Sequence, residues 1–256
     1  MFRAFNLTQC GWSKVDRKAG DVILQQNRET VRKSLESFLN DHIIDGTKLT
    51  QHWFPTVKAD VFISHSHKDE EDAIKYAGWL KSVFNLDPFV DSCVWGCADT
   101  LLKLIDDKYC RNPGGDTYSY EKRNGSTSHI HMMLSTALSA MLDATECVVF
   151  INTRNSITST ESIDKTQSPW LSFELGTMRV IRRKKPTRRI IQLETFSRDR
   201  VVKASTDYTA EYEVPLDELT PLSGGLLEAW RLSHQSAHRA DKHALDLLYE
   251  IAPEHI

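Results

Sequence analysis

Cysteine is scarce and unpaired in this sequence of 256 residues. Its five thiols, at positions 10, 93, 97, 110 and 147, form an odd set without paired spacing, which argues against a disulfide framework and for reduced thiols. Eleven glycines and eight prolines are too few for a collagen-like or low-complexity chain. Neither charge sign prevails: 32 Lys plus Arg stand against 35 Asp plus Glu, a net charge of -3. No chain-wide field draws nucleic acid or acidic lipid, and neither is an expected partner. Long apolar runs are missing as well. The longest charge-free apolar stretch, 127–142, contains two His and several Ser and Thr, and it falls short of the roughly 20 residues that span a bilayer. Met1 to Lys14 contains nothing like the apolar core of a signal peptide. A cytoplasmic protein without membrane contact is expected, and on that expectation the sequons at Asn6 and Asn124 are not glycosylated.

What is present is the composition of a packed protein, 40% hydrophobic and 26% charged, on a chain long enough to bury a core. Val22, Ile23, Val31, Leu35, Phe38 and Leu39 recur at helical spacing, so the segment ahead of the first strand reads as a helical addition. Asp60 to Ser64 is a short β-branched and aromatic run left through polar residues, as a buried strand is. Ala73, Ile74, Ala77, Leu80 and Phe84 then mark a helix whose first turn carries Asp69, Glu70, Glu71 and Asp72, where its dipole favours negative charge. A second strand is expected over 87–91, Trp95-Gly96 in a loop after it, a helix over about 99–109, a surface loop over 111–126 and a helix through Ile130 and Met141. Cys147 to Ile151 is apolar throughout, the mark of a parallel strand covered on both faces. Ser168 and Pro169 suit the cap and first turn of a helix running to about Lys185. Ile190 to Leu193 and Tyr212 to Leu216 read as further strands, and 226–251 as terminal helix. Strands alternating with helices make an α/β protein with a parallel sheet flanked by helices. Its ligands collect beyond the carboxyl ends of the strands, near 64–69, 91–99 and 152–168.

Side chains at those ends admit both chemical and plainer roles. Glu174 alone reads as a solvated helix carboxylate. Trp170, four residues earlier on the same helix face, suits either packing or a substrate pocket. Ser64, His65, Ser66 and His67 offer hydroxyls and imidazoles suited to ribose or phosphate, and otherwise serve as polar turn residues. Neither His65 with His67 nor His129 with His131 completes a zinc ligand set. The basic run 179–185 reads as cations at a helix C-terminus, and Gly114-Gly115 lacks the spacing and lysine of a phosphate-binding loop.

The segment Asp60-Val61-Phe62-Ile63-Ser64-His65-Ser66-His67-Lys68-Asp69, then Trp95-Gly96, then Ser168-Pro169-Trp170-Leu171-Ser172-Phe173-Glu174-Leu175 resemble, in that order, the TIR (Toll/interleukin-1 receptor) domain family, particularly its bacterial NAD-cleaving members. The resemblance spans residues 58–195. It implies a flavodoxin-like TIR domain over 59–220 with an enlarged segment between the second and third strands. The expected helical N-terminal extension over 1–58 and the C-terminal helical segment over 221–256, packed on that domain, are additions to a minimal TIR domain. Glu174 is then the catalytic residue, holding ribose hydroxyls and stabilising an oxocarbenium-like ribosyl centre. Ser64, His65, Ser66, His67, Asp91, Trp95, Ser168 and Trp170 contact substrate. NAD is implied as substrate rather than cofactor, without a metal, and nicotinamide leaves from a cationic state without a general acid. A stand-alone protein of this kind is similar to the signal-producing component of a Thoeris-type anti-phage system. Such a protein self-associates through TIR surfaces and reaches a separately encoded effector through an ADP-ribose-derived nucleotide. A non-catalytic TIR interaction module is the rival expectation.

Overall fold

The computed structural model of the chain describes residues 1–8, 12, 14–32, 46–160, 163–186, 211–236 and 242–252. In chain order its elements are β1 (Arg3–Leu7), α1 (Lys14–Arg32), α2 (Gly46–Trp53), β2 (Val61–Ser64), α3 (Glu70–Phe84), β3 (Pro88–Val90), α4 (Ser92–Ile105), α5 (Tyr120–Ala144), β4 (Cys147–Ile151), β5 (Thr158–Thr160), β6 (Ile163–Thr166), α6 (Pro169–Val180), β7 (Tyr212–Glu213), β8 (Thr220–Leu222), α7 (Gly224–Gln235) and α8 (Ala244–Ile251). Five strands form one all-parallel sheet in the order β3-β2-β4-β1-β8. Every residue of β2, β3 and β4 is buried, which explains their continuous apolar sequences: helices cover both faces. An all-parallel sheet flanked by helices is the expected α/β class and is consistent with a flavodoxin-like fold. In that fold's 2-1-3-4-5 order, β3, β2 and β4 take the first three places and β8 the last, while the fourth belongs to β1.

That fourth place corrects the expectation of a purely helical extension over 1–58. Arg3-Ala4-Phe5-Asn6-Leu7 has two polar residues in five and no β-branched side chain, so it carries little strand propensity of its own. Its position decides: the backbone pairs with Cys147–Ile151 on one side and Thr220–Leu222 on the other. Arg3 is accommodated by donating to Thr220 Oγ1 at 3.1 Å and to the Tyr249 carbonyl at 3.3 Å.

Four other expectations change. Trp95-Gly96 is not a loop, because α4 begins at Ser92, immediately after the β3 turn. The surface loop ends at Ser119, whose side chain caps α5. Tyr212–Glu213 joins a small antiparallel sheet β5-β6-β7 instead of the parallel one, and β8 is the fifth parallel strand, so a boundary at 220/221 would cut a strand. α6 stops at Val180 rather than near Lys185, with Ile181 already extended. The expected strand 190–193 and the part of the first helix beyond residue 32 lie outside the described residues.

Packing fixes the layers tightly. α1 crosses α3 through Gly20 and Gly78: a Cβ on Gly78 would lie 1.8 Å from the Asp16 carbonyl oxygen, and one on Gly20 would lie 1.9 Å from that of Ile74. α3 ends where Asn85 adopts φ 53° and its N–H bonds back to the Leu80 and Lys81 carbonyls, a left-handed position asparagine tolerates. That turn aims the chain into β3. At the C-terminal end Trp230 stacks on Phe84 at 3.8 Å and donates Nε1–H to the Ala244 carbonyl. Tyr249 meets Phe5 and Phe2 at 6.2 and 5.0 Å. α7 and α8 are thus bound to α3 and the sheet by large aromatic contacts. Among the described residues no helix is long and apolar enough to cross a membrane.

Candidate active site

The sheet order changes direction between β2 and β4, since the chain leaves β2 for β3 on one side and reaches β4 on the other. Open α/β sheets bind ligands at such a point, outside the carboxyl ends of the strands. β2 ends there at Ser64, paired with Phe150 of β4. β3 ends at Val90, and the N–H of the next residue, Asp91, donates to the Ile63 carbonyl at 3.2 Å and so continues the β2–β3 pairing. α6 approaches from above, started by Ser168, whose Oγ accepts from the Leu171 N–H, with Pro169 in the first turn.

These three elements bring four expected residues into one buried cluster. Ser64 Oγ donates to Glu174 Oε2 at 2.6 Å. The His65 N–H donates to Asp91 Oδ2 at 3.1 Å, while its ring Nδ1 is in ion-pair contact with Asp91 Oδ1. Ser64, His65, Asp91 and Glu174 are all 0% exposed. Glu174 is therefore not a solvated carboxylate. His65 and Asp91, expected to contact substrate, hold each other at the strand ends.

Burial dominates the electrostatics. It pushes the Glu174 carboxyl well above the usual range, and the adjacent Asp91 charge pushes it further, whereas the Ser64 hydroxyl opposes. Asp91 is also raised by burial, with the His65 charge and hydrogen bonds pulling it down. Burial alone would lower His65, but the charge and hydrogen bond of Asp91 outweigh it and the imidazole ends above its ordinary value. Two carboxyls in one dry site do not both ionise readily. Of the two, Glu174 has no cation beside it and is pushed furthest toward its protonated form, whereas His65 holds Asp91 toward its anion.

A cavity of about 300 Å³ lies beside this cluster. Its wall is apolar where α4 and α5 supply Ala98, Leu102, Ile130 and Leu134, and polar where His67, Asp99, His131 and Ser168 reach it. Trp170 closes one side, with the His131 ring set edge-on to its indole at 5.2 Å. Trp170 and Glu174 share a helix face as expected, yet at different depths: the indole lines the cavity and the carboxyl lies one turn further along α6, against Ser64. Ser66 is 9% exposed and donates to the Asn155 carbonyl at 3.2 Å, away from the cavity. Trp95 belongs to α4 by its backbone, and its side chain lies outside the described residues. Among the described residues no three His, Cys, Asp or Glu side chains converge as metal ligands.

Two groups of residues escaped sequence reasoning. Asp69, read as a helix-dipole charge, is 4% exposed and accepts from Thr153 Oγ1 at 2.6 Å and Asn155 Nδ2 at 2.7 Å. It thereby ties the loop after β2 to the loop after β4, at the two edges of the binding crevice. His131, considered in the sequence only as a zinc ligand, stands on the exposed side of α5 next to the buried Ile130 and reaches the cavity beside Trp170. Comparison with protein-family models, curated proteins and solved structures returns no match to this chain.

Proposed function

We propose that the protein is a TIR-type NAD-cleaving enzyme, an NAD glycohydrolase or ADP-ribosyl cyclase, with Glu174 as its catalytic carboxyl. One observation supports this reading above the others: Glu174 lies at the carboxyl end of the parallel sheet, bonded to Ser64, one helical turn from an indole that lines a cavity. The partly apolar wall and Trp170 suit a flat pyridine ring, and the adjoining His67 and Ser168 suit ribose or phosphate oxygens. Breaking the bond between nicotinamide and ribose develops positive charge on the sugar carbon. A preorganised carboxylate stabilises that charge, and Ser64 holds one of its oxygens in place. On this reading the protein works in the cytoplasm of a bacterium in anti-phage defence, self-associates through TIR surfaces, and signals to a separate effector through an ADP-ribose-derived product.

The complete burial of Glu174 favours a second reading, a TIR interaction module in which the Ser64–Glu174 contact is structural. Chromatography of NAD and nicotinamide separates the two, with protein at high concentration and in infected-cell extract. The enzymatic reading expects nicotinamide from the unaltered chain and none from Glu174→Gln at equal folding. No release from either chain, or equal release from both, overturns the role given to Glu174.

A further inference from the structure

The Glu174 carboxyl has no exposed surface, and although Oε2 is held by Ser64, no N–H or O–H donor among the described residues reaches Oε1. Asp91, equally sealed, is its acidic neighbour, and both Asp91 oxygens face His65. A carboxylate pair with one imidazolium between strand ends has an excess of negative charge in a medium that penalises it. One added proton makes the cluster neutral. We infer that the Glu174–Asp91 pair stores one exchangeable proton that a cationic ligand entering the Trp170 cavity expels to solvent, making the site selective for a cationic over a neutral ring of the same shape.

The reasoning is charge balance. Before binding, imidazolium, Asp91 carboxylate and protonated Glu174 sum to zero. Trp170 and Glu174 are four residues apart on α6, so their Cβ atoms lie about one helical turn, ~6 Å, from each other, and a pyridinium on the indole acts on the carboxyl from that side. Loss of the carboxyl proton to the buffer restores neutrality, since the new carboxylate and the pyridinium cancel. A neutral dihydropyridine offers no such compensation. The other groups facing the site are His65 at the end of β2, Asp69 and Glu70 in the turn after it acting on His65, Asp99 of α4 and His131 of α5 at the cavity. His65 keeps its proton because Asp91 remains its partner. The proton release also supplies the anionic Glu174 that ribosyl stabilisation requires, so the inference deepens the NAD-cleaving reading and takes its probe from it.

The test has two measurements. Infrared spectra of the unliganded protein at neutral pH should show a protonated-carboxyl band that Glu174→Gln abolishes and Asp91→Asn shifts; absence of that band overturns the inference. Calorimetry then follows binding of carba-NAD, whose carbocyclic sugar cannot be cleaved, and of its reduced dihydropyridine form, in buffers of differing ionisation enthalpy. The expected result is release of about one proton with the oxidised form, affinity rising about tenfold per pH unit on the acidic side, and weaker binding of the reduced form. Glu174→Gln should bind without proton release, with an unchanged thermal melt or a higher one confirming that it folds. Binding without release, equal affinity for the two forms, persistent release in Glu174→Gln, or no binding of the oxidised form each overturns the coupling. Proton release in a protein that never turns over NAD leaves the coupling standing and removes the NAD-cleaving reading alone.

Discussion

Replacing Glu174 by Gln should stabilise the fold at neutral pH while abolishing activity, and the size of the effect follows from the burial of one carboxyl. In the unfolded chain this group titrates in the ordinary carboxylate range, whereas in the folded protein burial and the Asp91 charge hold it well above that. The folded state therefore binds more protons than the unfolded state at every pH between the two values. Stability falls as pH rises through that window, by about 1.4 kcal/mol per pH unit for one excess proton. Asp91 and His65, both raised, act in the same direction. Half-buried carboxylates lowered by their partners, Asp107 by the Tyr118 hydroxyl and then Arg111, Asp143 by Lys184, give the opposite slope, but only below the ordinary carboxylate range. Gln keeps the local bonds: its carbonyl accepts from Ser64 and its amide donates to Asp91. At 2–4 °C per kcal/mol for a chain of this size, the variant's melting advantage should grow by about 3–6 °C for each pH unit climbed within that window and vanish toward its acidic end. Differential scanning fluorimetry across pH 4.5–8 measures both curves. Parallel curves, or a variant less stable at pH 7, would refute the assignment of a buried, protonated Glu174.

Other expectations rest on separate parts of the fold. Gly78→Ala places a methyl carbon 1.8 Å from a backbone oxygen of α1, which no side-chain rotation relieves, so urea unfolding should show a loss of about 3 kcal/mol or an insoluble product. Asp69→Ala leaves Thr153 and Asn155 without their shared acceptor, and should cost about 2–3 kcal/mol and raise hydrogen exchange in the loop after β4. Trp170→Ala should raise the KM for NAD at least tenfold, with Trp170→Phe recovering most of the loss. An unchanged KM would remove the indole from the substrate surface.

The α/β class was readable because buried parallel strands leave a local signature: Val61–Ile63 and Cys147–Ile151 are apolar at every backbone step, and Ser168-Pro169 is a cap followed by the residue suited to a first helical turn. The strands that were missed lack that signature. β1 is five residues with Arg and Asn among them, and β8 is three residues containing Pro221. Both become strands because the sheet supplies parallel partners, a cause that no short window of sequence contains. Trp95 was misplaced for a related reason. Ser92-Cys93-Val94-Trp95-Gly96 contains a glycine that reads as a loop, yet α4 tolerates it, and a Cβ there would meet nothing within 4 Å.

The site was legible as a set of residues and illegible as a set of contacts. Ser64 and Glu174 were singled out from separate segments, but the hydrogen bond joining them crosses 110 positions, and the one joining His65 to Asp91 crosses 26. Nothing local distinguishes an Asp that contacts substrate from one that fixes the charge of a neighbouring acid. The difference has a chemical consequence. An exposed Asp91 would add only a screened charge at the mouth of the site. Sealed between His65 and Glu174, it determines which of the two carboxyls holds the proton, and so whether the site at rest presents an anion or a neutral acid. A solvated Glu174 would be ready for a ribosyl cation at any pH above 5. On the proposed NAD-cleaving reading, the buried one becomes ready only when a positive charge arrives, so that the carboxylate would be withheld until the cavity is occupied.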